Sequence, residues 1–165
     1  MAVAAGIMVP HPPLIVPDVG RGQEILIKDT IKAYQEAAGM AAELKPDTIV
    51  VISPHAVMYA DYFHVSPGKE ARGDFGRFMA PQIGVEAGYD EAFVRELDRL
   101  CGDDDFPMGT EGEREKELDH GTLVPLYFIN QHYRDYKLVR IGGSGLSFAD
   151  HYRAGRYIAR AAENL

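Results

Sequence analysis

The chain has 165 residues, the length of one ordinary domain, and its 46% hydrophobic, 25% charged and 10% aromatic composition excludes disordered, fibrous and low-complexity classes. A formal net charge of −8 argues against nucleic acid as a partner, because phosphate backbones are attracted by basic patches that this chain lacks. No apolar run approaches the roughly 18 residues of a membrane span, and the start lacks a basic segment before its apolar stretch, so a cytoplasmic protein without membrane contact is expected.

A strand is predicted over Ala2 to Val9, closed by Pro10-His11-Pro12-Pro13. Helical spacing follows from about Gln23 to Leu44, until Lys45-Pro46-Asp47 interrupts it. Thr48 to Ser53, TIVVIS, is apolar without alternation, which predicts a strand covered on both faces. Strand, helix, strand in this order predicts a βαβ unit in a parallel sheet, with ligands gathering beyond the carboxyl ends of the strands.

Further on, Tyr62 to Ser66 reads as a strand, and Gly73 to Val85 as two short ones separated by Pro81. Helices are predicted over Tyr89 to Cys101, Leu123 to Tyr133 and Phe148 to Glu163, with a strand at Lys137 to Ile141. The fold expected is a single α/β domain over residues 1–165, a mostly parallel sheet with helices on both faces. A parallel sheet would receive another strand after the last helix, so the domain is expected to be the amino-terminal portion of a larger one. The exposed edge and helix surface that this implies predict association into a homo-oligomer.

Cys101 is the one cysteine, so a bound metal must use His, Asp or Glu. His11 is confined by Pro10 and Pro12, and His55 stands at the corresponding place after TIVVIS. Either imidazole is a hydrogen-bonded loop residue or a metal ligand; their shared strand-end placement raises the second reading. His120 lies before an apolar helix for which Thr122 is the expected N-cap. Beside a helix N-terminus its imidazole would stay neutral and able to donate one hydrogen bond to a substrate oxygen or dioxygen. Asp119 either orients that ring or ends the acidic loop Asp103 to Asp119, which otherwise reads as a solvated connection. Gly142-Gly143-Ser144-Gly145 lacks the spacing of a phosphate loop and reads as a tight turn. His64, His132 and His151 read as structural or solvent-facing, and Tyr59, Tyr62 and Phe63 as core or as the lining of an aromatic pocket.

The motifs Val9-Pro10-His11-Pro12-Pro13-Leu14, Ser53-Pro54-His55-Ala56, Gly73-Asp74-Phe75-Gly76 and Asp119-His120-Gly121-Thr122-Leu123-Val124-Pro125-Leu126 together resemble class III extradiol ring-cleavage dioxygenases of the LigB type. The likeness runs on through Gly145-Leu146-Ser147 and His151-Tyr152 and is nearest to the AmmeMemoRadiSam and Memo-like branch. The resemblance implies a mononuclear non-haem Fe(II), with a small catechol-type aromatic and dioxygen as partners. His11 and His55 would be its histidine ligands and His120 a catalytic residue beside substrate and oxygen. It also implies a carboxylate ligand and an acid/base histidine in a later segment; Gly143-Ser144-Gly145-Leu146-Ser147 continues with Phe148 instead of that histidine. Little ring cleavage is therefore expected of these 165 residues alone. Two other readings stay open. One is a zinc hydrolase whose third ligand is Asp119 or Asp61; the other is a metal-free or Memo-like binding module.

Overall fold

The computed structural model describes residues 2–165 and has a mixed α/β architecture. Its elements are α1 (Pro17–Gly20), α2 (Lys28–Glu43), β1 (Thr48–Ser53), β2 (Phe63–His64), β3 (Glu70–Phe75), β4 (Ala80–Gly88), α3 (Glu91–Asp103), β5 (Met108–Gly109), α4 (His120–Ile129), β6 (Lys137–Gly142) and α5 (Phe148–Asn164). Short 3₁₀ turns at Pro13–Ile15, Gln23–Ile27 and Gly76–Phe78 connect some of them.

The central ladder is parallel. β1 pairs β6 from Thr48 opposite Lys137 to Ser53 opposite Gly142, and a second parallel pair joins β2 to β5. Successive side chains of a strand face opposite ways, and β6 divides its residues accordingly. Leu138 enters a cluster with Tyr34 and Ala38 of α2 and Leu123, Val124, Leu126 and Phe128 of α4; Val139 and Ile141 enter another with Phe93 and Leu97 of α3 and Ala154, Tyr157 and Ala161 of α5. Helices thus cover both faces, α2 and α4 on one and α3 and α5 on the other, as the sequence predicts. β3 and β4 form an antiparallel hairpin whose inward residues Ala71, Phe75, Ala80 and Val85 join the first cluster.

Several sequence expectations are corrected. Ala2 to Val9 forms no strand: residues 2–8 are exposed and unpaired, so the βαβ unit between this segment and β1 is absent. Its large apolar side chains Val3, Ile7 and Met8 stay exposed, and no neighbouring strand accepts its backbone hydrogen bonds. β1 lies beside β6 instead, which is far away in sequence. Nor is β1 covered on both faces throughout, because Ile52 is 61% exposed. The break in Gly73 to Val85 falls at the turn Gly76–Met79, where Met79 takes φ 63°, and Pro81 lies inside β4. The fourth helix starts at His120, three residues early, because Asp119 caps it. Pro125 consequently lies past the first turn, offering no N–H to the carbonyl of Gly121.

Glycines at the end of β6 allow two chain segments to touch. A Cβ on Gly142 would strike the Val57 carbonyl, and one on Gly145 would lie 2.7 Å from the Ala60 carbonyl. The glycine-rich stretch is thus a close crossing of the segment after β1, as the tight-turn reading predicts. The acidic connection is more than a solvated loop. Its backbone accepts hydrogen bonds from Arg140 and Tyr59, and His64 contacts it through its Nδ1.

Candidate metal centre

The segment carrying His11 is extended and flanked by prolines, and the chain turns beyond it to bury Ile15 and Val16 completely. That anchorage, with Val9 packed against the first core cluster, replaces the strand end expected beneath His11. His55 sits in the turn leaving β1, where Ser53 Oγ accepts its backbone N–H at 3.1 Å. His120 is the first residue of α4, and Asp119 accepts the Thr122 N–H at 3.1 Å as the N-cap.

These three segments converge. The Nε2 atoms of His11 and His55 are 3.0 Å apart, and the His120 ring centroid lies 4.0 Å from that of His55 and 5.7 Å from that of His11. One nitrogen from each ring falls within 4.8 Å of the other two. His55 is exposed and the other two are half-buried, so the cluster opens toward solvent and is not a deep cavity. A concavity of about 990 Å³ lies elsewhere, between the β3–β4 hairpin and the end of α4.

Burial holds the His120 imidazole below the usual histidine range, and the neighbouring His55 and His11 rings and Arg77 push the same way against the opposing pull of Asp119. It is therefore neutral at pH 7 and presents either a lone pair or an N–H. Phe78, on the turn between β3 and β4, places its ring edge-on to His120 at 5.3 Å. Gly121 permits the close approach of α4 to the His55 turn, for a Cβ there would crowd Ser53 Oγ and come within 3.3 Å of His55 Cδ2.

Asp119 and Asp61 stand outside this cluster. Both oxygens of Asp119 are occupied: Oδ1 accepts from Ser53 Oγ at 2.5 Å and Thr122 N, and Oδ2 from Thr122 Oγ1 at 3.0 Å and Arg140 Nε at 3.2 Å. Burial raises its carboxyl pKa, but Ser53, Arg140 and Thr122 outweigh that and hold it below the ordinary range. The third imidazole, and not a carboxylate, completes the group, so neither Asp119 nor Asp61 is the third donor that the zinc-hydrolase reading expects, although three imidazoles are themselves a set that zinc accepts.

The other histidines serve structure. His64 is buried, with Nδ1 2.9 Å from the Glu111 carbonyl; His132 meets Gln35; His151 packs edge-on against Phe63. Phe63 belongs to the second core cluster, and Tyr59 donates to the Gly112 carbonyl beneath the Arg114 guanidinium, so neither lines the imidazole cluster. Arg140 was not singled out by sequence. Its signal is a basic residue set between the apolar Val139 and Ile141 in the strand KLVRIG.

Comparison with known proteins adds two findings. Residues 5–165 match the family model described as the catalytic LigB subunit of aromatic ring-opening dioxygenase. Protein CA_C1420 of Clostridium acetobutylicum is 36% identical over 165 aligned positions, which cover 96% of this chain and 35% of the relative. The chain thus spans about a third of the length of the curated relative it matches, whose name states no activity.

Proposed function

Because the chain belongs to the family of catalytic LigB subunits of aromatic ring-opening dioxygenases, we propose that His11 and His55 are the histidine ligands of a mononuclear Fe(II) and that His120 stands beside it as a catalytic residue, for extradiol cleavage of a catechol-type aromatic. The observation that carries this reading is the convergence of three imidazoles from three separate segments, with donor atoms within 4.8 Å of one another. Titratable side chains gathered from distant segments, one of them with a depressed pKa, mark a candidate functional site.

The donors fit the ion. Imidazole suits divalent iron, zinc and copper, and a neutral His120 adds no repelling charge. At metal–nitrogen lengths of about 2.1 Å, two ligands at right angles stand about 3.0 Å apart and two tetrahedral ligands about 3.4 Å. The 3.0 Å between the Nε2 atoms of His11 and His55 falls in that range, short enough for one ion to touch both, and it is equally the length of a hydrogen bond between the rings. When bound, Fe(II) supplies positive charge for an aromatic diolate and an electron path from it to dioxygen.

In this reading His11 and His55 hold the ion, fixed by the proline-flanked segment and the turn after β1. His120, neutral and lateral to that pair, orients a substrate or oxygen atom by donating its ring N–H. The Phe78 ring shields one side of His120 from water. Ring cleavage, its aromatic substrate and any further ligand are properties of the whole protein and belong to the proposal.

The test loads the natural gene product anaerobically with Fe(II), counts iron by elemental analysis, and follows its oxygen uptake with a series of catechols. One iron per chain is expected, lost in His11→Ala and in His55→Ala, together with catechol-dependent oxygen uptake that either substitution abolishes. Iron retained by both variants, or full turnover by both, overturns the assignment. Zinc-dependent ester hydrolysis without oxygen would transfer the site to hydrolase chemistry. An intact fold that takes up no metal would support the binding-module reading.

A further inference from the structure

Arg140 is fully buried in the middle of β6, flanked by Val139 and Ile141. Burying a guanidinium is costly, and well-packed hydrophobes commonly replace a buried ion pair without loss of stability. Stability alone therefore does not explain it. Its Nη1 donates to the Glu115 carbonyl at 2.9 Å, while Nε and Nη2 converge on Asp119 Oδ2 at 3.2 and 3.1 Å.

Asp119 likewise does more than capping requires. An N-cap needs one side-chain oxygen facing the backbone N–H two or three residues on, and serine or asparagine serves as well. Here Thr122 N supplies that contact, and the remaining capacity receives Arg140, Thr122 Oγ1 and Ser53 Oγ. Ser53 Oγ then accepts the backbone N–H of His55, and Asp119 is covalently followed by His120. A path of two hydrogen bonds, His55 N to Ser53 Oγ to Asp119 Oδ1, thus ties the turn carrying one imidazole to the helix start carrying the other. Arg140 anchors that path to the central ladder.

We propose that Ser53, Asp119 and Arg140 form a positioning unit that sets the separation and orientation of His55 and His120. The proposal rests on the preceding reading of the imidazoles as a metal centre. None of the three touches the cluster's nitrogens, so their effect passes through backbone. Residues that orient ligands in this way typically contribute 10-fold to 100-fold to metal affinity.

The decisive variant is the double substitution Asp119→Asn/Arg140→Met. Asp119→Asn alone strands a buried guanidinium and endangers folding; the double change removes both charges, keeps a capping oxygen and fills the strand position. Ser53→Ala cuts the connection to His55 alone. Two readouts are taken on the whole chain. One is Co(II) affinity with the visible ligand-field spectrum; the other, without metal, is the nuclear Overhauser contact between the His55 and His120 rings, whose centroids are 4.0 Å apart.

The double variant is expected to melt cooperatively, to bind Co(II) at least tenfold more weakly with an altered spectrum, and to lose the ring contact. Ser53→Ala should move both readouts in the same direction by less. A double variant with unchanged affinity, spectrum and ring contact overturns the positioning role. If the unsubstituted chain binds no Co(II) but the double variant still loses the ring contact, positioning stands and the metal reading falls.

Discussion

Replacing Gly121 by alanine sets two effects of opposite sign against each other. Helix propensity favours alanine over glycine by about 1 kcal/mol, and Gly121 lies in the first turn of α4. The added methyl, however, would overlap Ser53 Oγ, approach Asp119 Oδ1 to 3.0 Å and His55 Cδ2 to 3.3 Å. The hydroxyl can escape only by rotating, which breaks its hydrogen bond to the Asp119 carboxylate and the one it accepts from His55 N. A bond to a charged partner contributes about 1.5–3 kcal/mol and a neutral one about 0.5–1.5 kcal/mol. Together they exceed the propensity gain, so a net destabilisation of about 1–3 kcal/mol is expected. In a domain of this size that lowers the melting temperature by roughly 2–12 °C. Thermal unfolding followed by circular dichroism measures it. Ser53→Ala removes the same two bonds, so the Ser53→Ala/Gly121→Ala pair should lose clearly less than the sum of the singles. A melting temperature for Gly121→Ala equal to or above that of the unsubstituted chain refutes the steric argument.

Burial, with help from Asp98 and Asp104, pushes the Cys101 thiol up to about 12; a thiol reagent at pH 8 should leave it unmodified in the folded chain and label it in denaturant. Gly142→Ala places a methyl against the Val57 carbonyl, a backbone atom unable to rotate aside, and the variant should be recovered unfolded or insoluble; a native melt would show that the crossing of the two segments yields easily. The depressed His120 pKa means that the unfolded chain binds more protons than the folded one below about pH 6.5, so stability should fall as pH drops through that value. Urea unfolding between pH 7.5 and 5.5 should show this slope for the unsubstituted chain and a shallower one for His120→Gln.

The helices were legible because their apolar residues recur at helical spacing and their caps are local: Asp90 before α3 and Ser147 before α5 each accept the backbone N–H three residues on. β1 and β6 were legible as apolar β-branched runs, but which strands pair is decided by long-range packing that no local pattern records. Ala2 to Val9 shows the limit. Its hydrophobicity reads as a strand, yet a strand exists only when a neighbour accepts its hydrogen bonds. The three histidines could be chosen from their proline and glycine surroundings and from the motifs that resemble a family. That His120 stands beside both His55 and His11 followed only from coordinates, as did Arg140, whose partners Asp119 and Glu115 lie 21 and 25 residues away in sequence.

The guanidinium of Arg140 also acts as a key for the alignment of the central ladder. It shares a strand face with Leu138, toward α4 and Asp119, whereas Val139 and Ile141 look toward α3 and α5. Sliding β6 by one residue past β1 would turn it toward Phe93 and Leu97 and away from Asp119. An unmatched interior charge costs several kcal/mol, and the same slip would replace Gly142 by a residue whose Cβ strikes the Val57 carbonyl. The buried charge and the glycine beyond it together leave the ladder one alignment in which both are accommodated.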